Sequence, residues 1–215
     1  MSLSYQVIPV GELQCNCVIL FDEKSKECFI FDPGDEKEKI LDIVKKLSLK
    51  INGIIHTHAH FDHVMASSQI VKEAKSDISV YLHTEDKKLW ENQEMQSASF
   101  GLNSSLDTPK VTHWLKDNQE LKLAENKIKV IHTPGHSPGS CCFYIERDEN
   151  PLLISGDTVF FGSIGRTDLW GGDMEQIMKS IKTKILILPN ETEIIPGHGP
   201  STSIKNEKGH NPFFI

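Results

Sequence analysis

The sequence lacks the features that mark membrane, exported and nucleic-acid-binding proteins. No apolar run approaches the ~20 residues that a helix needs to cross a bilayer, and no cationic segment followed by an apolar stretch is visible near Met1. Lysine and arginine number 23 against 30 aspartates and glutamates, which gives a net charge of −7 at pH 7. This acidic balance argues against a broad surface for nucleic acid or acidic lipid. We therefore expect neither partner.

Cysteine is scarce, and its spacing excludes the usual paired motifs. The number of cysteines is odd and no CxxC occurs, so the sequence predicts a reduced, cytoplasmic protein with no disulfide framework. We interpret the thiols as core or loop residues, with a redox or metal role for the first two as the alternative. The five are Cys15, Cys17, Cys28, Cys141 and Cys142.

The composition is that of an ordinary globular protein with a mixed α/β pattern. The 215 residues, 38% of them hydrophobic, suit a single domain spanning residues 1–215. Short runs rich in Ile, Val and Phe and bounded by turn residues predict ten strands. They cover 5–10, 17–21, 28–32, 51–56, 80–83, 121–123, 127–132, 141–145, 151–155 and 193–196.

Helical periodicity fills several of the intervals between these strands. The clearest case is 35–49, where apolar residues share one face, acids lie in the first turn and lysines lie late. Weaker patterns predict helices over 63–74, 84–95 and 173–181. Residues 96–110 are small and polar and predict a long loop, which in a compact domain is often functional.

Histidine and aspartate accumulate where four predicted strands end. The stretch HTHAHFDH (56–63) follows one apolar run, and HTPGHSPGS (132–140), GDTVF (156–160) and PGHGP (196–200) follow three others. Sheets covered by helices gather their strand ends along one edge, where ligands bind. In an extended segment alternate residues project to the same side, so His58 and His60 can hold one ion while Asp62 and His63 face a second. Imidazole and carboxylate suit zinc, and also iron or manganese.

The remaining histidines do not share this pattern. His56 lies on the strand before the motif and is interpreted as structural. The others stand alone in sequence and are interpreted as surface or satisfied core residues: His83, His113, His132 and His210.

Together the motifs resemble the metallo-β-lactamase superfamily of metallohydrolases. THAHFDH, HTPGHSPGS, SGDTVF and PGHGP carry the resemblance, with FDPGD (31–35) as the early turn. The fold implied is a four-layer αββα sandwich with a binuclear site at one sheet edge. YQVIPV, GSIGRTDLWGGD (162–173), IPGHGPST and HNPFF are similar to the short bacterial glyoxalase II-like (hydroxyacylglutathione hydrolase-like) group. That group implies a chain without the C-terminal helical domain of full-length glyoxalase II.

The resemblance implies a ligand set. One divalent ion would be held by His58, His60, His136 and Asp157, and the other by Asp62, His63, His198 and the same, bridging, Asp157. It also implies a substrate contact at Arg166, although Asp168 replaces the nearby aromatic contact of the family. Asp32, with Thr57 or Ser140, is predicted to orient the imidazoles, and a simple Asp-Pro-Gly turn is the alternative for Asp32.

The chemistry expected is hydrolysis of a small-molecule thioester such as an S-2-hydroxyacylglutathione. Two ions, zinc or else iron or manganese, would activate a hydroxide, and Asp62 would orient it or carry its proton. The GRTD stretch also resembles persulfide dioxygenases, which use one iron at the positions of His58, His136 and Asp157. A non-catalytic metal or ligand sensor is the alternative outside enzymology.

Overall fold

Two mixed six-stranded sheets form the centre of the protein. The computed structural model describes residues 3–74, 77–101, 107–147 and 150–215. The first sheet has the order β1-β2-β3-β4-β5-β6; β1 to β3 pair antiparallel, and β3 to β6 pair parallel. Its strands are β1 (Leu3–Val10), β2 (Cys15–Asp22), β3 (Glu27–Phe31), β4 (Lys50–Ile55), β5 (Ser79–His83) and β6 (His113–Leu115).

The second sheet is mainly antiparallel. It comprises β7 (Glu120–Leu123), β8 (Asn126–His132), β9 (Cys141–Ile145), β10 (Leu152–Gly156), β13 (Glu193–Pro196) and β14 (Thr202–Ser203). The spatial order is β14-β13-β10-β9-β8-β7, and only β10 and β13 pair in parallel. A separate hairpin is formed by β11 (Val159–Phe160) and β12 (Ser163–Ile164). All ten predicted strands are present.

The helices cover the outer faces of the two sheets. They are α1 (Lys37–Lys46), α2 (Ser67–Glu73), α3 (Lys87–Trp90), α4 (Gln93–Ser99), α5 (Met174–Ser180) and α6 (Ile204–His210). Single turns of 3₁₀-helix span Phe61–His63 and Thr84–Asp86, and a π-helical turn (Ile181–Ile185) continues α5. None of the helices within the described ranges is long and apolar enough to cross a membrane.

Alternating side chains on the strands build the four layers. Phe31 of β3 points between the sheets and meets Phe143 of β9 edge-on, with ring centroids 5.1 Å apart. Its neighbour Ile30 points the other way and packs with Ile40 of α1 and Ile70 of α2. The far face of the second sheet packs in the same manner on α5 and α6. The αββα sandwich expected from the resemblance is confirmed, because each sheet buries both of its faces.

The predictions for residues 84–110 were partly wrong. The helix expected over 84–95 breaks at Asn92, whose backbone is not helical, and a new helix, α4, runs to Ser99 inside the predicted loop. Gln93 and Gln96 both donate from Nε2 to the carbonyl of Ala59, so tertiary hydrogen bonds support a helix that has no apolar periodicity. Residues 102–106 of the predicted loop lie outside the described residues.

Candidate metal centre

The four motifs meet because their strands end at the same edge of the sandwich. His58 and His60 follow β4 of the first sheet, whereas His136, Asp157 and His198 follow β8, β10 and β13 of the second. The 3₁₀ turn Phe61–His63 then turns the chain, so Asp62 and His63 point back into the same space. All seven predicted ligands lie there, in overlapping groups of three whose ligand atoms are within 4.8 Å of one another.

One group contains three buried histidines. Nδ1 of His60 lies 2.8 Å from Nε2 of His136, and the latter atom lies 3.2 Å from Nε2 of His58. Burial lowers the pKa of His60 to about 3 and that of His136 to about 4. Burial also holds the pKa of His58 well below its usual value, so all three rings are neutral and can donate a lone pair to a cation.

The other group combines two histidines with a carboxylate. Nε2 of His198 lies 3.2 Å from Oδ2 of Asp62 and 3.2 Å from Nε2 of His63. Burial by itself lowers the pKa of His63 and His198, but neighbouring groups outweigh it and raise both values. At His63 these are the thiol of Cys15 and then the surrounding carboxylates, and at His198 they are the carboxylates of Asp62 and Asp157. Carboxylates that attract a proton to these rings would equally attract a metal cation in its place.

Asp157 lies between the two groups. Its Oδ1 is 3.5 Å from Nε2 of His63, and its Oδ2 is 3.4 Å from Nε2 of His136. Burial raises the pKa of this carboxyl. Oδ1 is buried and has no hydrogen-bond partner within the described part of the chain. Oδ2 also lies 3.8 Å from Nε2 of His198. The position fits a carboxylate that bridges two ions, because its oxygens lie beside histidines of both groups.

Hydrogen bonds to Nδ1, the ring nitrogen that faces away from the cluster, orient four of the histidines. Three of them bond directly to a carbonyl or a carboxylate. Nδ1 of His136 donates to the carbonyl of Arg166 at 2.8 Å, and Nδ1 of His198 donates to the carbonyl of Leu13 at 2.9 Å. Nδ1 of His63 donates to Oδ2 of Asp32 at 3.0 Å. Since each Nδ1 carries the proton, each Nε2 presents a lone pair toward the others. Converging lone pairs repel one another unless a cation lies among them, so the residues present fit a metal centre.

His58 receives the same orientation through Thr57. The hydroxyl of Thr57 donates to Oδ2 of Asp32 at 2.6 Å and therefore accepts from Nδ1 of His58 at 2.9 Å. Ser140 does not have this role, since its hydroxyl accepts from the backbone N–H of Ser137. Of the two hydroxyls considered from sequence, Thr57 is the one in contact with a ligand.

Asn16, which sequence reasoning missed, holds the loop of His198. Its side-chain amide donates to the carbonyls of Pro196 and Gly199, both at 2.9 Å, and its backbone N–H donates to Gly197 at 2.7 Å. Asn16 is 6% exposed. Nothing in the local pattern QCNCVIL distinguishes this buried asparagine from a turn residue, so no sequence signal was available.

Asp86 was also missed, and it links two ligand loops. Its carboxylate accepts from the backbone N–H of Ala59 at 2.9 Å, from the hydroxyl of Ser137 at 2.8 Å and from the N–H of Gly139 at 2.5 Å. Burial raises the pKa of Asp86 to about 6. In sequence it belongs to the charged run TEDKK, which is typical of the solvated start of a helix.

Close packing at the second group requires a glycine. A Cβ at Gly197 would lie 2.1 Å from Oδ1 of Asp157 and 2.8 Å from Cε1 of His63. The PGHGP loop can therefore approach the bridging carboxylate only because residue 197 has no side chain.

Arg166 lies at the mouth of the site, and Asp168 accepts from two of its five N–H groups. Its guanidinium forms a two-point ion pair with Asp168, at 2.7 and 2.8 Å, and is half exposed. It lines the cavity over the ligand cluster, while its backbone carbonyl orients His136. Its predicted contact with substrate stays a prediction.

The histidines that were not predicted as ligands lie outside the cluster. His56 is buried against the ring of Trp90, at 4.9 Å between centroids, and His83 stacks on His132 at 3.9 Å. His113 stacks on Tyr81, and His210 is exposed at the end of α6. The five cysteines are buried and free, and Cys15 lies 3.4 Å from Nδ1 of His63.

Comparison with known proteins agrees with this geometry. The family described as the Metallo-beta-lactamase superfamily matches residues 10–198. Hydroxyacylglutathione hydrolase GloC of Haemophilus influenzae is 37% identical over 212 residues, which cover 98% of each chain.

Two solved structures share the fold over nearly their whole length. The crystal structure of BLEG-1 B3 metallo-beta-lactamase has a TM-score of 0.90 and 39% identity and covers 98% of this chain and 99% of that one. That of TTHA1623 in a di-iron-bound form has a TM-score of 0.85 and 36% identity and covers 97% and 99%.

Proposed function

Since the chain belongs to the metallo-β-lactamase superfamily of metal-dependent hydrolases, we propose that it is a binuclear enzyme that cleaves thioesters. The ions are zinc, or else iron or manganese, and the substrate is a small-molecule thioester, such as an S-2-hydroxyacylglutathione. The coarser assignment, a metallo-hydrolase, follows from the family. We propose the number of ions and the thioester substrate.

The observation that supports two ions is the pair of ligand groups with a carboxylate between them. His58, His60 and His136 form one group, and Asp62, His63 and His198 form the other. The oxygens of Asp157 lie beside histidines of both. The di-iron form of TTHA1623 and the name of the Haemophilus hydrolase support the metal count and the reaction by similarity.

Bound at these positions, two divalent ions would lower the pKa of a shared water toward ~7 and place positive charge beside the substrate carbonyl. Among the protein's own side chains, Asp62 is the one placed to transfer the proton. Its carboxylate lies 3.2 Å from His198 and 3.7 Å from His63, next to the space between the groups. We assign to it the proton of the attacking water, which it passes to the departing thiolate as the carbon–sulfur bond breaks.

The mononuclear iron persulfide dioxygenase is the second candidate. The three ligands that it needs are in contact here, with His58 and His136 3.2 Å apart and His136 and Asp157 3.4 Å apart. The dioxygenase differs from the hydrolase because it does not require Asp62, His63 and His198 as ligands. A sensor of metal or ligand would have no turnover at all.

Metal analysis beside an activity panel separates these functions. Purified protein is assayed for bound metals, for hydrolysis of lactoylglutathione and other thioesters, for persulfide-dependent oxygen uptake and for cleavage of the β-lactam nitrocefin. We expect close to two ions per chain and thioester hydrolysis. One iron per chain with oxygen uptake and no thioesterase activity would replace the proposal with the dioxygenase, and nitrocefin cleavage alone would replace it with a β-lactamase.

A further inference from the structure

A cavity of about 650 Å³ opens directly over the candidate metal centre. One side of it is made by four apolar residues that we call the α4 wall: Phe61, Leu89, Met95 and Phe100. Residues of the segment 160–170 also line it and combine the apolar Phe160, Ile164, Leu169 and Trp170 with the cationic Arg166. A substrate whose carbonyl lies at the metal centre would therefore extend along two apolar surfaces, and of these only the one formed by residues 160–170 carries a lysine or arginine within the described part of the chain.

The α4 wall has a fixed position relative to the ligands. Phe61 stands between His60 and Asp62 in the chain, and its ring lies 5.1 Å from the ring of Phe100. Gln93 and Gln96 tie α4 to the carbonyl of Ala59, in the same ligand loop. Hence the wall begins beside the reacting centre and is held there by hydrogen bonds.

Apolar surface on this wall is exposed to the cavity. Met95 is 58% exposed and Phe100 is 44% exposed, although both are large hydrophobic side chains. Exposed apolar side chains grouped around a concave site indicate a surface that a ligand covers. The gain from covering them scales with the apolar area of the ligand.

The polar groups on the same side are already engaged. Both amide hydrogens of Gln96 are used, in bonds to the carbonyls of Ala59 and Leu89 at 3.1 and 2.8 Å. The hydroxyl of Ser99 donates to the carbonyl of Gln96 at 2.6 Å. A 2-hydroxyl on the acyl group would thus find no free donor from these two side chains.

The charged group that lines the cavity, Arg166, is better suited to the thiol part of the substrate than to its acyl chain. Arg166 is the one cationic side chain among the described residues that line this cavity, and Asp168 holds it in a two-point pair. The polar, anionic part of a thioester therefore belongs on the side of Arg166. This orientation leaves the acyl group against the α4 wall.

We propose that the α4 wall is an acyl pocket and that the substrate is a thioester of an apolar acyl group, a medium-length alkyl or an aryl chain. This inference rests on the proposed thioesterase function and narrows it. Within the thioester class it favours such acyl groups over the 2-hydroxyacyl group, because a short polar acyl chain would leave Met95 and Phe100 uncovered.

The test uses metal-loaded protein and thioesters of one neutral thiol, N-acetylcysteamine, with acetyl, lactoyl, hexanoyl and phenylacetyl groups. We expect kcat/KM to rise at least tenfold from acetyl to hexanoyl and to exceed that for lactoyl. The ratio of hexanoyl to acetyl kcat/KM should fall about tenfold in Phe100→Ala and several-fold in Met95→Ala. Phe161→Ala is the matched control, since Phe161 is 56% exposed and does not line the cavity.

The outcomes distinguish failure of the acyl pocket from failure of the proposed thioesterase function. A preference for lactoyl over hexanoyl, or equal ratios in Phe100→Ala and wild type, would overturn the acyl pocket and leave the thioesterase intact. Hydrolysis of none of the thioesters, glutathione esters included, by protein with both ions bound would overturn the proposed function and the pocket together.

Discussion

The carboxylate of Asp32 lies 3.0 Å from Nδ1 of His63 and orients that ring from behind. The same carboxylate accepts from the backbone N–H and the hydroxyl of Thr57, at 2.8 and 2.6 Å. Asp32 has a positive φ of 47°, so the Asp-Pro-Gly turn and the contact with His63 occur together. Asp32, which directly follows β3, therefore orients a histidine in each ligand group. It bonds directly to His63, and it acts on His58 through the hydroxyl of Thr57.

Asp32→Asn should weaken metal binding without unfolding the chain. The amide is isosteric, but it cannot accept from three donors and carries no charge to hold His63 in place. We expect the affinity for the second ion to fall by ~10–100-fold, the usual effect of removing a partner behind a ligand. Chelator competition followed by metal analysis measures this. Asp42→Asn, at an exposed position of α1, is the control; equal losses in both variants would contradict the assignment.

Gly197→Ala should disrupt the second ligand group. The added methyl would overlap Oδ1 of Asp157 and crowd His63, so the PGHGP loop must move away with His198. We expect loss of at least one ion per chain and a thermal midpoint lowered by several degrees. Gly209→Ala is the matched control, because a Cβ at Gly209 meets nothing within 4 Å. Full metal occupancy in Gly197→Ala would show that the close approach is unimportant.

His198→Ala separates the hydrolase from the dioxygenase. In a hydrolase the change removes a ligand of the second ion, so kcat on a glutathione thioester should fall by orders of magnitude as charge near the oxyanion is lost. His210→Ala, at the exposed end of α6, should leave turnover unchanged. If His198→Ala kept one iron and persulfide-dependent oxygen uptake, the dioxygenase would be the better assignment.

Arg166→Ala should raise KM for an anionic thioester several-fold and leave kcat nearly unchanged. Loss of one charge-assisted hydrogen bond corresponds to ~1–2 kcal/mol. The same variant assayed with a neutral N-acetylcysteamine thioester is the internal control, and its KM should not change. Equal KM shifts for both substrates would mean that Arg166 acts only through its pair with Asp168.

Asp86 predicts a dependence of stability on pH. Burial raises its pKa from 3.8 to about 6, so between these values the folded chain holds the proton more tightly than the unfolded chain. Its contribution to the free energy of unfolding is therefore largest below pH 4 and falls by up to about 3 kcal/mol as the pH rises through 6. Asp86→Asn removes this dependence.

Urea unfolding of chelator-treated wild type and Asp86→Asn, between pH 4 and 7, measures the effect. Metal is removed because ligand protonation would otherwise contribute in the same range. The stability difference between the two proteins should favour the wild type most at pH 4 and decline toward pH 7. A difference that is constant or that grows with pH would contradict a raised pKa at Asp86.

Much of the site could be predicted from sequence because its chemistry lies in local motifs. His58, His60 and Asp62 follow one apolar strand within a few residues, and the glycines of HTPGHSPGS and PGHGP mark the other strand ends. Strand ends gather along one edge in parallel or mixed sheets covered by helices, so we expected the motifs to lie close together. Runs rich in Ile, Val and Phe, such as CFIFD at 28–32, similarly predicted the strands.

The tertiary structure decided what local patterns cannot encode. Asn16 holds residues 180 or more positions away, and Asp86 joins loops at residues 59 and 139, so neither leaves a periodic signal near itself. The helix α4 forms because Gln93 and Gln96 bond to Ala59, which is why part of a stretch predicted as loop became helical and brought Phe100 into the α4 wall. By itself the sequence placed histidines and aspartates at four strand ends, because residue type and short-range pattern suffice for that, and its resemblance to the superfamily implied the ligand set and the layered fold. The orientation of each imidazole and the shape of the acyl pocket required the folded chain, because they depend on hydrogen bonds and packing between distant segments.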